Sequence, residues 1–236
     1  MENNICYNSK LTAKRWVGYF DLLGVKQIYK TKDLIQIFVA ISSAAEKCKE
    51  RAEAWGNVGY AWFSDTFIFF TNDDSTESLK AIENISRWFV YNLIINYIPV
   101  RGAISCDIFY ADRENNIFFG EALLEAYKYG EAQDWIGFIL CPSAEERLKQ
   151  SETLSELLLN YVYMNEIPFK TECKLELQHN LLACIIGKNV GRTSVSSINQ
   201  NQIIEKLNQM KKEITCSEIQ AKYDKTIEFI KKNCDN

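Results

Sequence analysis

The chain has 236 residues, 47% apolar and 25% charged, with a net charge of −4; that suits one large domain, or one domain plus an appendage, with a substantial core. The acidic balance gives no electrostatic basis for binding polymeric nucleic acid, which favours a basic excess. The eight cysteines (Cys6, Cys48, Cys106, Cys141, Cys173, Cys184, Cys216 and Cys234) include no close pair and the one histidine is His179, so a structural zinc is disfavoured and the thiols read as reduced and mostly buried.

Residues 1–13 form a polar lead-in without the basic-then-apolar pattern of a secretion signal. The most apolar long segment, Trp88 to Val100, is interrupted by Asn92 and Asn96 and is too short to span a bilayer. The expectation is a cytoplasmic protein with no membrane partner. The first strand is Trp16-Val17-Gly18-Tyr19-Phe20-Asp21-Leu22-Leu23-Gly24, an apolar run ending on a carboxylate and, soon after, a glycine. Thr31 to Trp55 then carries Leu34, Ile37, Phe38, Ile41, Ala45 and Cys48 at three- and four-residue spacing, which predicts an amphipathic helix. Val58 to Phe63, Ser64-Asp65-Thr66, and Phe67 to Phe70 read as a β-hairpin with Ser64-Asp65 at its tip.

Strand, crossover helix, strand predicts parallel strands and a right-handed connection, so Asp21 and Asp65 are expected at one edge of the sheet. Paired carboxylates there, with no histidine or cysteine nearby, suit a hard oxygen-seeking cation such as magnesium or manganese.

Asn72 to Ser75 supplies turn and capping residues, and a second helix follows with Leu79, Ile82, Ile85, Phe89 and Leu93 before Pro99 ends it. Arg101 to Tyr110 reads as a strand, Ala111 to Asn116 as a polar turn and Ile117 to Phe119 as a return strand. Gly120 to Glu131 is helical, with Leu123, Leu124, Ala126 and Tyr127 on or near its inner side, and Trp135 to Cys141 is a strand. This order predicts an α+β fold: a ferredoxin-like βαββαβ antiparallel sheet backed by helices. Beyond Pro142, Leu154 to Leu159 reads as helical, Tyr161 to Tyr163 and Leu175 to Ile186 as extended, and Gly187 to Asn199 as a loop. Gln202 to Lys232 reads as one long amphipathic helix bearing Ile203, Leu207, Met210, Ile214, Ile219, Tyr223, Ile227 and Ile230, packed on its own domain or on a sister chain. The division is thus a lead-in over 1–13, a domain over 14–186 and a loop plus C-terminal helix over 187–236.

Phe20-Asp21-Leu22-Leu23-Gly24, Ser64-Asp65, the run Val100 to Ser105, Phe119-Gly120 with the helix after it, and Ile136 to Ser143 occur in an order and on elements that resemble the class III nucleotidyl cyclase catalytic domain over about residues 14 to 150. Within that family the chain looks most like the small bacterial pyrimidine cyclases of the Pycsar antiphage system. The resemblance implies that the ribose 3′-hydroxyl of a nucleoside triphosphate attacks its own α-phosphorus and expels pyrophosphate, with two divalent ions, Mn2+ or Mg2+, between carboxylates and phosphates. It implies Asp21 and Asp65 as catalytic metal ligands, joined by the Leu22 backbone carbonyl. Phe20, Leu22, Leu23 and Gly24 then lie on the substrate side, with backbone amides from Leu22 to Val25 facing phosphate oxygens.

Two departures from the family pattern bear on substrate and catalysis. The positions that read a purine edge fall on Ala61 and Ile117, which offer no hydrogen bond, leaving Tyr60, Trp62 and Ser64 to hold a smaller base, Tyr60 first. The transition-state Asn and Arg fall on Leu124 and Lys128, so Lys128, Arg101 and Arg113 compete to offset phosphate charge, and Lys170 could reach the triphosphate. The implied activity is formation of a 3′,5′-cyclic pyrimidine mononucleotide, from UTP ahead of CTP, as a second messenger in antiphage defence. The implied partners are a second copy of the chain, with sites at the two-fold interface, and a separate cyclic-nucleotide-responsive effector. A purine cyclase with atypical base contacts and a silent nucleotide-binding module remain as alternatives.

Overall fold

The computed structural model describes residues 12–24, 34–55, 58–150, 159–174, 176–188 and 200–233. The expected residues of the lead-in before Thr12, the start of the first helix at Thr31, the helix over 151–158 and the loop over 189–199 lie outside these, as do Cys6, Val25 and Cys234.

A seven-stranded sheet organises the chain. Strand β1 (Lys14–Leu22) leads to α1 (Leu34–Trp55), then β2 (Val58–Phe63), β3 (Thr66–Thr71), α2 (Thr76–Ile95) and β4 (Val100–Ile108). A short ribbon, β5 (Tyr110–Asp112) with β6 (Ile117–Phe119), stands apart from the sheet. After it come α3 (Glu121–Ala132), β7 (Gly137–Leu140), α4 (Pro142–Lys149), β8 (Tyr161–Met164), β9 (Leu181–Cys184), α5 (Gln200–Lys212) and α6 (Ser217–Asn233). The sheet order is β2-β3-β1-β4-β7-β9-β8.

β1 is antiparallel to both β3 and β4, and β2 is antiparallel to β3. β2 therefore runs parallel to β1, as the crossover predicts, but with β3 between them. The sheet is not wholly antiparallel: β4 and β7 pair in parallel, because α3 forms the crossover between them.

One face of the sheet packs on α1 and α2. Phe20, fully buried, meets Phe69, Phe89 and Phe138 with ring centroids 5.8, 5.7 and 5.5 Å away. α2 is capped by Ser75, whose hydroxyl accepts from the Ser78 amide, and its inner face is apolar from Leu79 to Ile94. On the other face α3 lies across β1 and β4 through Ala122, Ala126, Tyr129 and Gly130, all buried. Leu124 and Tyr127, expected near the inner side of that helix, are instead exposed, Leu124 at 67%. The helix presents its small residues to the sheet, which brings the two backbones close and turns the larger side chains outward.

The expected single C-terminal helix is two, broken between Lys212 and Ser217. The apolar positions run at spacings of three or four until Ile214, then skip five to Ile219, so one straight rod cannot keep them all on one stripe. A rod over 31 residues would also extend about 46 Å, past the domain it must cover. Folding back buries Ile203 and Leu207 of α5 together with Tyr223, Ile227 and Ile230 of α6. Likewise only Leu181–Cys184 of the expected 175–186 strand is extended.

α6 is tied to the entry of β7. The Thr226 hydroxyl accepts from the Ile136 amide at 2.9 Å and lies 3.0 Å from the Ile136 carbonyl. Asp134 takes ion pairs from Lys225 at 2.6 Å and Lys222 at 3.1 Å; burial opposes its ionisation, but the two ammonium groups outweigh it and hold the carboxyl below the ordinary range. Thr226→Val keeps the shape and removes these bonds, so it is expected to cost about 1–3 kcal/mol and lower the melting temperature by several degrees in thermal denaturation. An unchanged melting temperature would show that α6 does not fix this strand.

Candidate active site

At the C-terminal end of β1, cross-strand register places Phe63, Thr66, Asp21, Arg101 and Gly137 in one row across β2, β3, β1, β4 and β7. Residues paired across strands share a face, and neighbours along a strand alternate. The row therefore points its side chains to the α3 side of the sheet. The hairpin tip is sewn to the end of β1: the Leu22 amide donates to the Asp65 carbonyl at 3.0 Å. Ser64 adopts φ 57°, the left-handed conformation a two-residue hairpin turn requires. The structure thus brings Asp21 and Asp65, 44 residues apart in sequence, to the same edge.

Arg101 dominates the electrostatics. Its five N–H donors are all taken: Nε and Nη2 reach Asp21 Oδ2 at 3.3 and 3.0 Å, Nη2 also reaches Glu131 Oε2 at 2.6 Å, and Nη1 donates to the Glu131 and Gln133 carbonyls at 2.8 and 3.0 Å. Its side chain is buried. Glu131 also accepts from the Tyr19 hydroxyl at 3.1 Å and lies 4.0 Å from Lys170 Nζ. Burial pushes the Asp21 carboxyl up to about 6, the negative charge of Glu131 adds to this, and Arg101 opposes it. Asp65 takes no ion pair or hydrogen bond on its carboxylate among the described residues.

Glu131 is the member of this network that sequence reasoning missed. It lies in the last turn of α3, which carries no basic residue, and a carboxylate there opposes the helix dipole. That misplacement was the available signal.

The other expected site residues separate into groups. Gly24, at φ 67°, closes the turn after β1. The Leu22 amide is held by Asp65 and the Leu23 amide by the Pro99 carbonyl at 2.8 Å, so of the expected phosphate-facing amides within the described residues only that of Gly24 remains. The Phe20 and Leu22 side chains are core, and Leu23 packs against the core. Tyr60 and Trp62 alternate onto the face opposite Asp21. Trp62 stacks on Phe67 at 5.1 Å and Phe38 at 6.3 Å, and its indole N–H donates to the Ser64 carbonyl. Ala61, and Phe63 at 83% exposure, share the Asp21 face instead. Lys128 is exposed on α3, 3.9 Å from Glu176.

Neither a family model nor a curated protein matches the sequence. Solved structures do. The catalytic core of a rhodopsin-guanylyl cyclase with converted specificity, in complex with ATPαS, superposes with a TM-score of 0.56 at 10% identity, over 73% of this chain and 96% of that one. The fold is that of a class III nucleotidyl cyclase catalytic domain. The guanylyl cyclase domain of the RhoGC fusion protein from the aquatic fungus Blastocladiella emersonii, a non-canonical dimer, agrees at 0.53 and 12% identity over 73% and 94%. The adenylyl cyclase CyaB from P. aeruginosa agrees at 0.53 and 10% over 78% and 97%.

A divalent cation is the group this cyclase-like fold implies, and the donors fit one. Asp21 and Asp65 are hard oxygen donors, Arg101 engages only Oδ2 of Asp21, and carboxylates crowd the end of β1. No cluster of three or more His, Cys, Asp or Glu side chains that could hold a metal forms among the described residues, so a cation bound by Asp21 and Asp65 would need further oxygens from carbonyls, substrate or water. No helix among the described residues is long and apolar enough to cross a membrane.

Proposed function

We propose that the protein is a metal-dependent nucleotidyl cyclase that converts a pyrimidine nucleoside triphosphate, UTP ahead of CTP, to its 3′,5′-cyclic monophosphate and pyrophosphate, as a second messenger in antiphage defence. The observation that supports the reading is the Leu22–Asp65 backbone bond, which ties the hairpin tip bearing Asp65 to the end of β1 bearing Asp21 in a cyclase-like fold.

In the reaction a bond forms between the ribose O3′ and the α-phosphorus while the bond from that phosphorus to the α–β bridging oxygen breaks, and pyrophosphate leaves. Divalent ions, when bound, would lower the pKa of the 3′-hydroxyl and neutralise the triphosphate. Asp21 and Asp65 would hold them, and Gly24 would offer its amide to a phosphate oxygen. Arg101 holds Asp21 in position and ties it through Glu131 and Gln133 to the end of α3. Lys170, close to Glu131, and Lys128 supply positive charge for the phosphates, with Lys128 and Leu124 exposed on α3 where a second copy of the chain would complete the site. The separate effector would read the cyclic product.

Base selection rests on Ala61 and on Phe63, which share the face of Asp21. An alanine offers a purine edge no hydrogen bond, which supports a smaller base. Ser64 stays at the tip beside it.

Purified protein incubated with each of the four nucleoside triphosphates and manganese is expected to yield cyclic UMP, with less cyclic CMP, resolved by chromatography and mass spectrometry. A cyclic purine as main product would overturn the base assignment, and no cyclic product would favour a binding module. Asp65→Ala is expected to lower turnover about 10³-fold with the melting temperature unchanged, because its carboxylate makes no hydrogen bond or ion pair among the described residues.

A further inference from the structure

The sequence reading placed Arg113 among the groups that could offset phosphate charge beside Asp21. The structure puts it elsewhere. Arg113 belongs to the turn between β5 and β6, and its guanidinium carbon lies 5.2 Å over the Phe70 ring. Phe70 pairs with Val17 and with Gly59, so this is the α3 side of the sheet near the start of β1. Asp21 is about 13 Å further along the strand.

Three features make this a built site. The first is Gly59. A methyl group there would collide with Nη2 of Arg113 and with the Phe70 ring, so the notch exists only because the residue has no side chain. The second is Arg15. It lies two residues before Val17 on β1, hence on the same face, and its Nε is buried without a hydrogen-bond partner. Burial and the positive charge of Arg113 both lower its pKa, with Asp73 opposing. The third is the state of the neighbouring carboxylates. Asp73 already accepts from the Ser75 amide at 3.0 Å and the Ser78 hydroxyl at 2.6 Å, as part of the start of α2. Asp107, directly across from Arg15 in the ladder, is within 3.8 Å of Lys14 and caps the Ile108 amide.

Two guanidinium groups gathered on one face, one of them with an orphaned buried N–H, repel each other and leave a buried donor desolvated. An anion between them relieves both costs. Planar guanidinium forks are matched to the paired oxygens of a phosphate group.

We infer that Arg15 and Arg113, over Phe70 and Gly59, form a second, metal-independent binding site for a phosphate-bearing anion, separate from the Asp21–Asp65 edge. It stands whether or not the chain is a cyclase. The phosphate could arrive free, as pyrophosphate, or carried on a nucleoside.

Isothermal titration calorimetry of the full chain in EDTA, with pyrophosphate in one arm and uridine 5′-diphosphate in another, tests it. Saturable binding is expected in wild type, weakened at least tenfold in Arg15→Gln and in Arg113→Gln and only partly in Arg113→Lys. The tighter arm identifies the source. Gly59→Ala, which keeps both arginine residues but pushes the Arg113 guanidinium off Phe70, is expected to weaken binding as well. A readout on wild type alone is modification by phenylglyoxal, located by mass spectrometry, with pyrophosphate protecting Arg113. Absence of saturable binding, equal affinity in Arg113→Gln, or unprotected Arg113 would overturn the inference.

Discussion

Asp21→Asn is expected to lower cyclase turnover at least about 10³-fold while leaving the fold as stable as wild type or more so. The asymmetry follows from the position of the carboxylate. It is largely buried beside Glu131, and its pKa is raised to about 6. A carboxylate whose folded pKa exceeds its unfolded value binds more protons in the native state, so stability falls as pH rises between about 4 and 6 and the full penalty is present above that. The amide carries no charge and still accepts from Arg101. The expected gain at pH 7 is about 1 kcal/mol, because the group is partly screened by solvent, or about 2–4 °C in melting temperature for a chain of this size. Thermal denaturation from pH 4 to 8 should show the variant and wild type converging at the acid end and separating above pH 6. A variant less stable than wild type at pH 7 would mean that Asp21 is a structural ion-pair partner first, and retained turnover would remove it from the site.

Arg101→Met is expected to have the opposite profile, a large loss of stability. Removing the guanidinium leaves the Asp21 and Glu131 carboxylates facing each other and deprives the Glu131 and Gln133 carbonyls of their donor. Breaking a buried pair from one side costs about 3–5 kcal/mol, a fall of about 10 °C. Arg101→Lys should recover only part of it, since one ammonium cannot span two carboxylates and two carbonyls at once. A fall of less than about 2 °C would show that α3 and β1 are held together by packing alone.

Most of the sheet was legible because its strands carry hydrophobic runs and its helices carry a clear period. The hairpin of β2 and β3 and the alternation of strands and helices follow from local pattern alone. The insertion of β3 between β1 and β2, and the parallel pairing of β4 with β7, do not, because strand order is decided by which faces find cover after the helices dock. The break between α5 and α6 was written in the five-residue step from Ile214 to Ile219 but is outweighed on a quick reading by the regular spacing on either side.

At the site, the juxtaposition of Asp21 and Asp65 could be argued from chain direction. Strand register could not. A shift of one residue turns Tyr60 and Trp62 from one face to the other, and only the pairing with Phe69 and Phe67 shows that they lie away from Asp21. The arginines were visible as charges, but their partners were not. Arg101 meets Glu131 through tertiary docking of a helix end, and Arg113 reaches Gly59 across two strands, contacts that no periodicity encodes.

The hold of α6 on the entry to β7 has a consequence for how the molecule is made. A cavity of about 310 Å³ between Leu23, Gly24 and Pro99 on one side and Met210, Ile214 and Tyr223 on the other shows that the C-terminal pair also backs the turn after β1. On the ribosome that turn emerges well before the pair that braces it. The nascent polypeptide therefore carries its carboxylate edge without that support until α6 has emerged and docked.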